Sequence, residues 1–388
     1  MNKVRLGDVC RVERGASPRP INNYITTDSK GINWIKIGDT SSSKYITKTE
    51  QKITLEGAKK SRFVKKGDFL LSNSMSFGRP YILKIDGCIH DGWLVLHDTS
   101  NSFEPDYLYH YLSSPSMYNR FKDLAVGGVV NNLNSSMVKN LQIELPPIDE
   151  QRKIANILDK ADSLLLSESQ RLTILDELVK SRFVEMFGDP VTNNLCWKQT
   201  TVGDLCFVTK LAGFEYTDYI HYQDSGDVIM IRGLNVKDKK LKLDDIYYID
   251  SSVSDMLPRS QLNENDIVMT YVGVNIGDVA LVDGNNRYHL APNVAKISPN
   301  NHDSLNSVFF VNLLAFNKEN YASNATNTAK QALNMNKIRK LPVMLPPIEL
   351  QNQFVSFVVQ VDKSKSAVKQ SIEKLETLKK SLMQEYFG

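Results

Sequence analysis

Leu145-Pro146-Pro147-Ile148-Asp149-Glu150-Gln151 recurs as Leu345-Pro346-Pro347-Ile348-Glu349-Leu350-Gln351, 200 positions later (145 to 345). The same ungapped register pairs Leu133-Asn134 with Leu333-Asn334, Leu141 with Leu341, and Asp162 with Asp362. It continues through Gln170 and Gln370, Leu175 and Leu375, and Leu178 and Leu378. Lys180-Ser181 and Lys380-Ser381, Glu185 and Glu385, and Phe187-Gly188 and Phe387-Gly388 complete it. A register held over so long a stretch marks an internal duplication. Upstream the match loosens. Leu6-Gly7-Asp8-Val9-Cys10 resembles Val202-Gly203-Asp204-Leu205-Cys206, and Gly67-Asp68-Phe69-Leu70-Leu71 resembles Asn265-Asp266-Ile267-Val268-Met269. The offset there drifts between 196 and 198, so the copies share a frame and differ in loop length. Two lobes doing one job on different targets fit this pattern; an old duplication without divided function fits it too.

Each Pro-Pro pair opens a helical segment. From Ile154 to Phe187 there is neither Gly nor Pro, and Leu158, Ala161, Leu165, Leu172, Leu175 and Val179 fall at 3-4 spacing with one polar break at Glu168. Val358, Val361, Val368, Ile372, Leu375 and Leu382 repeat it. Such spacing predicts long amphipathic helices of coiled-coil type. Asp149 and Glu150 suit a helix N-terminus, and Gly188 before Asp189-Pro190 suits a C-terminal cap. About 33 helical residues span roughly 50 Å. Neither stripe can be buried alone, so the two helices are expected to pair antiparallel. Leu164, Leu166, Ile174, Val184 and Met186 lie off the stripe. They suit partner helices or packing against the lobes.

The intervening lobes read as strand-rich. Trp34–Ile37, Asp68–Leu71, Tyr81–Leu83 and Gly92–Leu96 in the first, and Val228–Ile231, Asp266–Met269 and Asp278–Val282 in the second, are short apolar runs between turn-forming residues. Helical patches are expected at Pro105–Phe121 and Ser304–Tyr321. The fold class is therefore α+β: two strand-rich lobes in pseudo-two-fold repeat, separated by two long antiparallel coiled-coil helices. The expected divisions are 1–145, 146–188, 189–345 and 346–388.

The 388 residues carry 47 Lys and Arg against 44 Asp and Glu, so any basic surface must be local. No apolar run approaches the ~20 residues of a membrane span, and the start of the chain lacks a signal peptide's apolar core. A cytoplasmic location is the expectation. Cys10, Cys88, Cys196 and Cys206 form no C-x-x-C pair, and the six histidines form no metal-binding pattern. Phosphate-loop, dinucleotide-binding and nucleophile-elbow motifs are missing.

Two pairs of polar loops stand at matching places. One is Ser72–Arg79 with Thr270–Gly277; the other is Gly127–Asn132 with Thr326–Gln331. Arg, Asn, Gln and Lys pair with base edges, while Ser, Thr and backbone N–H groups bind phosphates. Ordinary turns share that composition.

With its doubled Leu-Pro-Pro-Ile-x-x-Gln block, its Phe-Gly helix ends, the Gly-Asp start of each half and the Asp-apolar strand before a Gly-containing loop, the chain resembles type I restriction-modification DNA specificity subunits. The second half fits well through Asn265–Met269, Gly277-Asp278-Val279-Ala280 and Pro292–Lys296. The first departs at Ser76–Pro80 and Asp91-Gly92-Trp93. The resemblance implies two target recognition domains, each reading half of a bipartite site on double-stranded DNA. It implies helices that set the spacer and dock two methyltransferase subunits, with motor-nuclease subunits joining for restriction. It implies no catalytic residue, metal or cofactor in this chain. S-adenosylmethionine, ATP and Mg²⁺ would sit on the partners.

The residues then expected at DNA are Lys36, Arg62, Asn73, Ser74, Arg79, Arg232, Asn235, Lys237, Asn275, Asn327, Lys330 and Gln331. Of these, Lys36, Arg62, Arg232 and Lys237 are placed on phosphates. Leu164, Leu166, Ile174, Val184 and Met186 are expected at partner subunits. Half-sites read from one face of B-DNA lie about 34–36 Å apart. The competing readings are a self-contained DNA methyltransferase or nuclease and a two-headed scaffold that does not bind DNA.

Overall fold

The computed structural model describes residues 3–73, 78–125, 132–323 and 332–388. It divides into two compact units, Met1–Gln170 with Val368–Gly388, and Arg171–Ala367. The division falls inside the long helices rather than at residues 145 and 345. Each unit takes the start of one helix and the end of the other.

In the first unit, one five-stranded sheet runs Cys10–Arg14, Trp93–Asp98, Phe69–Ser72, Pro80–Leu83, Tyr45–Ile46. A second runs Ile25–Thr26, Gln51–Ile53, Ile32–Ile35, Gly87–Ile89, Arg62–Val64. Alternation along the strands divides the core. Phe69, Leu71, Ile82, Leu94 and Leu96 face the helices, while Leu70, Tyr81, Leu83, Trp93 and Val95 face the other sheet.

The second unit repeats this order. Cys206–Lys210, Val294–Pro299, Ile267–Thr270, Val279–Leu281 and Lys239–Leu241 form one sheet, extended by Val236–Lys237. Tyr247–Ile249, Val228–Ile231, Arg287–Leu290 and Gln261–Leu262 form the other. Ile267, Met269, Ala295 and Ile297 face the helix side; Val268 and Val294 face the second sheet.

The expected helical patches are each two helices. Pro105–Ser113 is followed by Pro115–Ala125, because Pro115 holds Ser114 extended (φ −65°, ψ 147°). Ser307–Phe316 is followed by Lys318–Ser323. The long helices run Ile148–Phe187 and Ile348–Phe387, starting directly after the prolines.

The repeated sequence blocks have identifiable jobs. Gln151 is buried; its Nε2 donates to Ser102 O and Pro146 O, and its Oε1 accepts from Glu104 N. The Leu-Gly-Asp and Val-Gly-Asp starts clasp the end of each lobe. Leu6 N donates to Leu141 O at 2.8 Å and Val202 N to Leu341 O at 3.0 Å. The adjoining glycines leave no room for a side chain. A Cβ on Gly7 would stand 2.9 Å from Lys139 Cβ, and one on Gly203 would stand 2.9 Å from Arg339 Cβ. Gly67 and Asn265 take positive φ (97° and 71°), and the aspartates after them cap the turn by accepting from Lys65 N and Asn263 N.

The Phe-Gly helix ends plug cores. In the first unit Phe387 packs edge-on to Tyr107 and Tyr111, beside Ile154 and Leu158. In the second, Phe187 packs on Phe183, Phe309 and Phe354, beside Val358 and Val361. Each lobe therefore rests on the start of its own helix and the end of the other, which is an antiparallel pairing. Lys379 reaches Asp162 in the first unit, and Lys365 reaches Asp176 at 2.5 Å in the second. The aspartates are 14 residues apart and so are the lysines, two heptads of an antiparallel coiled coil.

Charged groups also tie lobe to helix. Lys44 Nζ meets Asp106 at 2.6 Å and Asp159 at 2.7 Å, and His110 Nε2 shares Asp159 at 2.8 Å. Burial opposes the Lys44 charge, but the two carboxylates outweigh it and hold the ammonium above its ordinary pKa. In the second unit Lys239 Nζ donates to Asn312 at 2.9 Å. Burial, then repulsion from Lys365, lowers its pKa.

Candidate nucleic-acid interface

Three connections of the second lobe converge on a cleft of about 380 Å³. The first is the turn Gly233–Asn235, which follows strand Val228–Ile231. Asn235 shapes it by accepting from Arg232 N and donating to Lys242 O and Asp245 O. The second is the loop after Ile267–Thr270, with Val272, Gly273, Val274 and Asn275. The third is Pro292-Asn293, and Tyr216 and Tyr222 complete the wall. Arg232 lies over Tyr247, 4.5 Å from the ring centroid, and its NH2 is held by Asp245 at 2.9 Å. Tyr222 packs 5.3 Å from Tyr247. Burial pushes the Tyr222 phenol up to about 12. On the inner wall, Arg232 Nε and Thr270 Oγ1 are buried without a partner among the described residues.

The first lobe builds the same frame from different chemistry. Lys36-Ile37-Gly38-Asp39 occupies the turn, and Lys36 N donates to Asp39 at 2.7 Å. Asn73 and Tyr271 are equivalent: their N–H groups donate to Gly92 O and Asn293 O, and their carbonyls accept from Leu133 N and Leu333 N. Asp91 is a hub there. It accepts from Ser17 Oγ at 2.7 Å and Arg19 NH2 at 3.2 Å, while its carbonyl accepts from Arg14 Nε and Asn73 Nδ2. The Ser17 hydrogen bond, with help from Arg19, holds the Asp91 carboxyl below the usual range.

The expected DNA-contacting residues fall into three groups. Lys36, Arg79, Arg232, Lys237 and Asn275 are exposed or half-exposed, although Lys36 pairs with Glu50 at 3.6 Å. Arg62 is committed to Glu13 at 3.1 Å and the Arg14 carbonyl. Asn73 and Asn235 are buried with their amides bonded to backbone, so they shape loops and do not reach out. Ser74, Asn327, Lys330 and Gln331 lie outside the described residues, as do half of Ser72–Arg79 and all of Thr326–Gln331. Sequence reasoning missed Arg14, Arg19, Tyr216, Tyr222, Leu234, Val274 and Asn293. Nothing periodic marks a turn tip, and only the repeat frame brings these positions together.

On the helices, Leu164, Leu166, Ile174 and Val184 are exposed. Met186 is half-buried against the second unit's core, which removes it from the exposed set. The equivalents of the four in the second helix are Ser364, Ser366, Lys374 and Gln384. Among the described residues, no cluster of three or more His, Cys, Asp or Glu could hold a metal ion, and no helix is long and apolar enough to cross a membrane.

The family model for the type I restriction modification DNA specificity domain matches twice, at residues 1–177 and 195–377. The chain belongs to this family. As a specificity subunit of a type I restriction-modification system, it has a non-catalytic DNA-recognition role, and specificity subunits assemble with other subunits of such systems. It is 20% identical over 402 aligned positions to the type I restriction enzyme MjaVIII specificity subunit of Methanocaldococcus jannaschii, covering 98% of this chain and 90% of that one. It is 23% identical over 290 positions to the EcoBI specificity subunit of Escherichia coli, covering 66% and 60%. A solved structure concerned with complex assembly and conformational transition of the type I R-M system shares the fold, with a TM-score of 0.66, 17% identity and coverage of 100% and 97%.

Proposed function

We propose that this specificity subunit directs its complex to one bipartite DNA site, each lobe reading one half. The supporting observation is one scaffold carrying two chemistries. Lys36-Ile37-Gly38-Asp39 and Arg232-Gly233-Leu234-Asn235 make the same turn with different outward side chains. Basic side chains such as Lys36, Arg79, Arg232 and Lys237 contact phosphates and fix register; the loop tips choose bases.

Two methyltransferase subunits dock on the helices through Leu164, Leu166, Ile174 and Val184, and motor-nuclease subunits join for restriction. S-adenosylmethionine, ATP and Mg²⁺ act on those partners. The target adenine is flipped into the methyltransferase, so this chain supplies position and no bond-making group. Helix length sets the spacer between half-sites, and the complex works in the cytoplasm.

The experiment is deletion of the gene in a host that keeps its partner genes, followed by sequencing of adenine methylation. Loss of methylation at one bipartite motif is expected. An unchanged methylome contradicts the proposal.

A further inference from the structure

The second-lobe cleft has a feature not seen among the described residues of its first-lobe counterpart. Two apolar side chains stand out at its mouth: Val274 is 99% exposed and Leu234 66%. A fully hydrated valine at a loop tip contributes nothing to the fold. Beside them, the carboxamides of Asn275 and Asn293 make no hydrogen bond to any described residue. Positive φ at Asn293 (71°) keeps that residue on its turn. Deeper in, Arg232 Nε and Thr270 Oγ1 have no partner among the described residues, and Thr270 is 2% exposed. The first lobe has Gly38 where the second has Leu234, and Gly92 where it has Asn293. It presents no side chain at either place.

In the major groove, adenine offers N7 and N6, which suit an Asn carboxamide, and thymine offers a methyl group, which suits an apolar side chain. One base pair presents both edges together. Resting on the functional reading above, we infer that the second lobe reads an A·T pair in the major groove, with Asn275 on the adenine edge and Val274 and Leu234 on the thymine methyl. This pair lies outside the adenine that is methylated, because that base leaves the stack.

The test uses the complete complex with its methyltransferase subunits, and duplexes carrying the motif found by methylome sequencing. Each thymine is replaced in turn by deoxyuridine, which lacks the methyl, and each adenine by 7-deazaadenine, which lacks N7. In one half-site, one deoxyuridine should weaken binding about fourfold, the worth of one buried methyl-sized group. 7-Deazaadenine opposite it should weaken binding roughly tenfold. Val274→Ala should reduce the sensitivity to deoxyuridine, and Asn275→Ala should abolish the sensitivity to 7-deazaadenine. Both side chains are at the surface, so the variants should fold. Insensitivity to deoxyuridine at every position overturns the inference. So does a second-lobe half-site whose A·T pairs are limited to the methylated one. A complex without preference for any bipartite site overturns the functional reading, and this inference with it.

Discussion

Gln151 and Gln351 make the same three hydrogen bonds in their respective units. Gln351 Nε2 donates to Ser304 O and Pro346 O, and its Oε1 accepts from Asn306 N at 2.9 Å. Gln151 does this with Ser102, Pro146 and Glu104. Each glutamine locks the Pro-Pro loop, the entry to a lobe helix and the first turn of a long helix. That explains why the Pro-Pro block was duplicated with so little change.

Gln151→Ala and Gln351→Ala should each cost about 2–4 kcal/mol, because each strands buried donors and acceptors. The two sites share no partner, so the double variant should be nearly additive. Chemical denaturation checks both points.

Gly7→Ala and Gly203→Ala should each destabilise by about 1–3 kcal/mol, since the added methyl meets a neighbouring backbone as well as a side chain. Gly38→Ala, where a Cβ meets nothing within 4 Å, should stay within about 0.5 kcal/mol of the parent. Thermal unfolding of the three variants separates these outcomes.

Phe187→Ala and Phe387→Ala should each cost about 3–5 kcal/mol through the cavity left in a packed aromatic cluster. The effects should fall on opposite lobes: Phe387→Ala loosens the first and Phe187→Ala the second. Hydrogen exchange read separately over residues 3–145 and 195–345 shows which lobe loses protection.

Acid should destabilise the chain from about pH 6.5 downward. Burial lowers the pKa of His90, His110 and His289, in His110 against the pull of Asp159. Below their ordinary value of 6.5 the unfolded chain takes up protons that the folded chain does not, so stability is full above that pH and falls as the pH drops. His110→Asn copies the second unit, where Asn312 stands at the equivalent place. It should flatten the fall in Tm between pH 7.5 and 5.5.

The long helices, their antiparallel pairing and the repeat were legible in the sequence because they rest on periodicity and on Leu-Pro-Pro-Ile-x-x-Gln. The strand-rich lobes were legible for the same reason. The helix break at Ser114 was missed, since the apolar pattern runs on past Pro115. The candidate interface residues were half legible. Asn73 and Asn235 have base-reading composition, but their amides are spent on backbone. Leu234 looks like a core residue in the sequence and stands in water, because a loop tip follows no hydrophobic period.

The division of labour is tested most directly by exchanging residues 195–345 for the matching lobe of a relative and sequencing the host's adenine methylation. One half of the bipartite motif should change to the donor's sequence while the other half and the spacer stay as they were. A change in both halves, or in neither, would contradict independent reading by the two lobes.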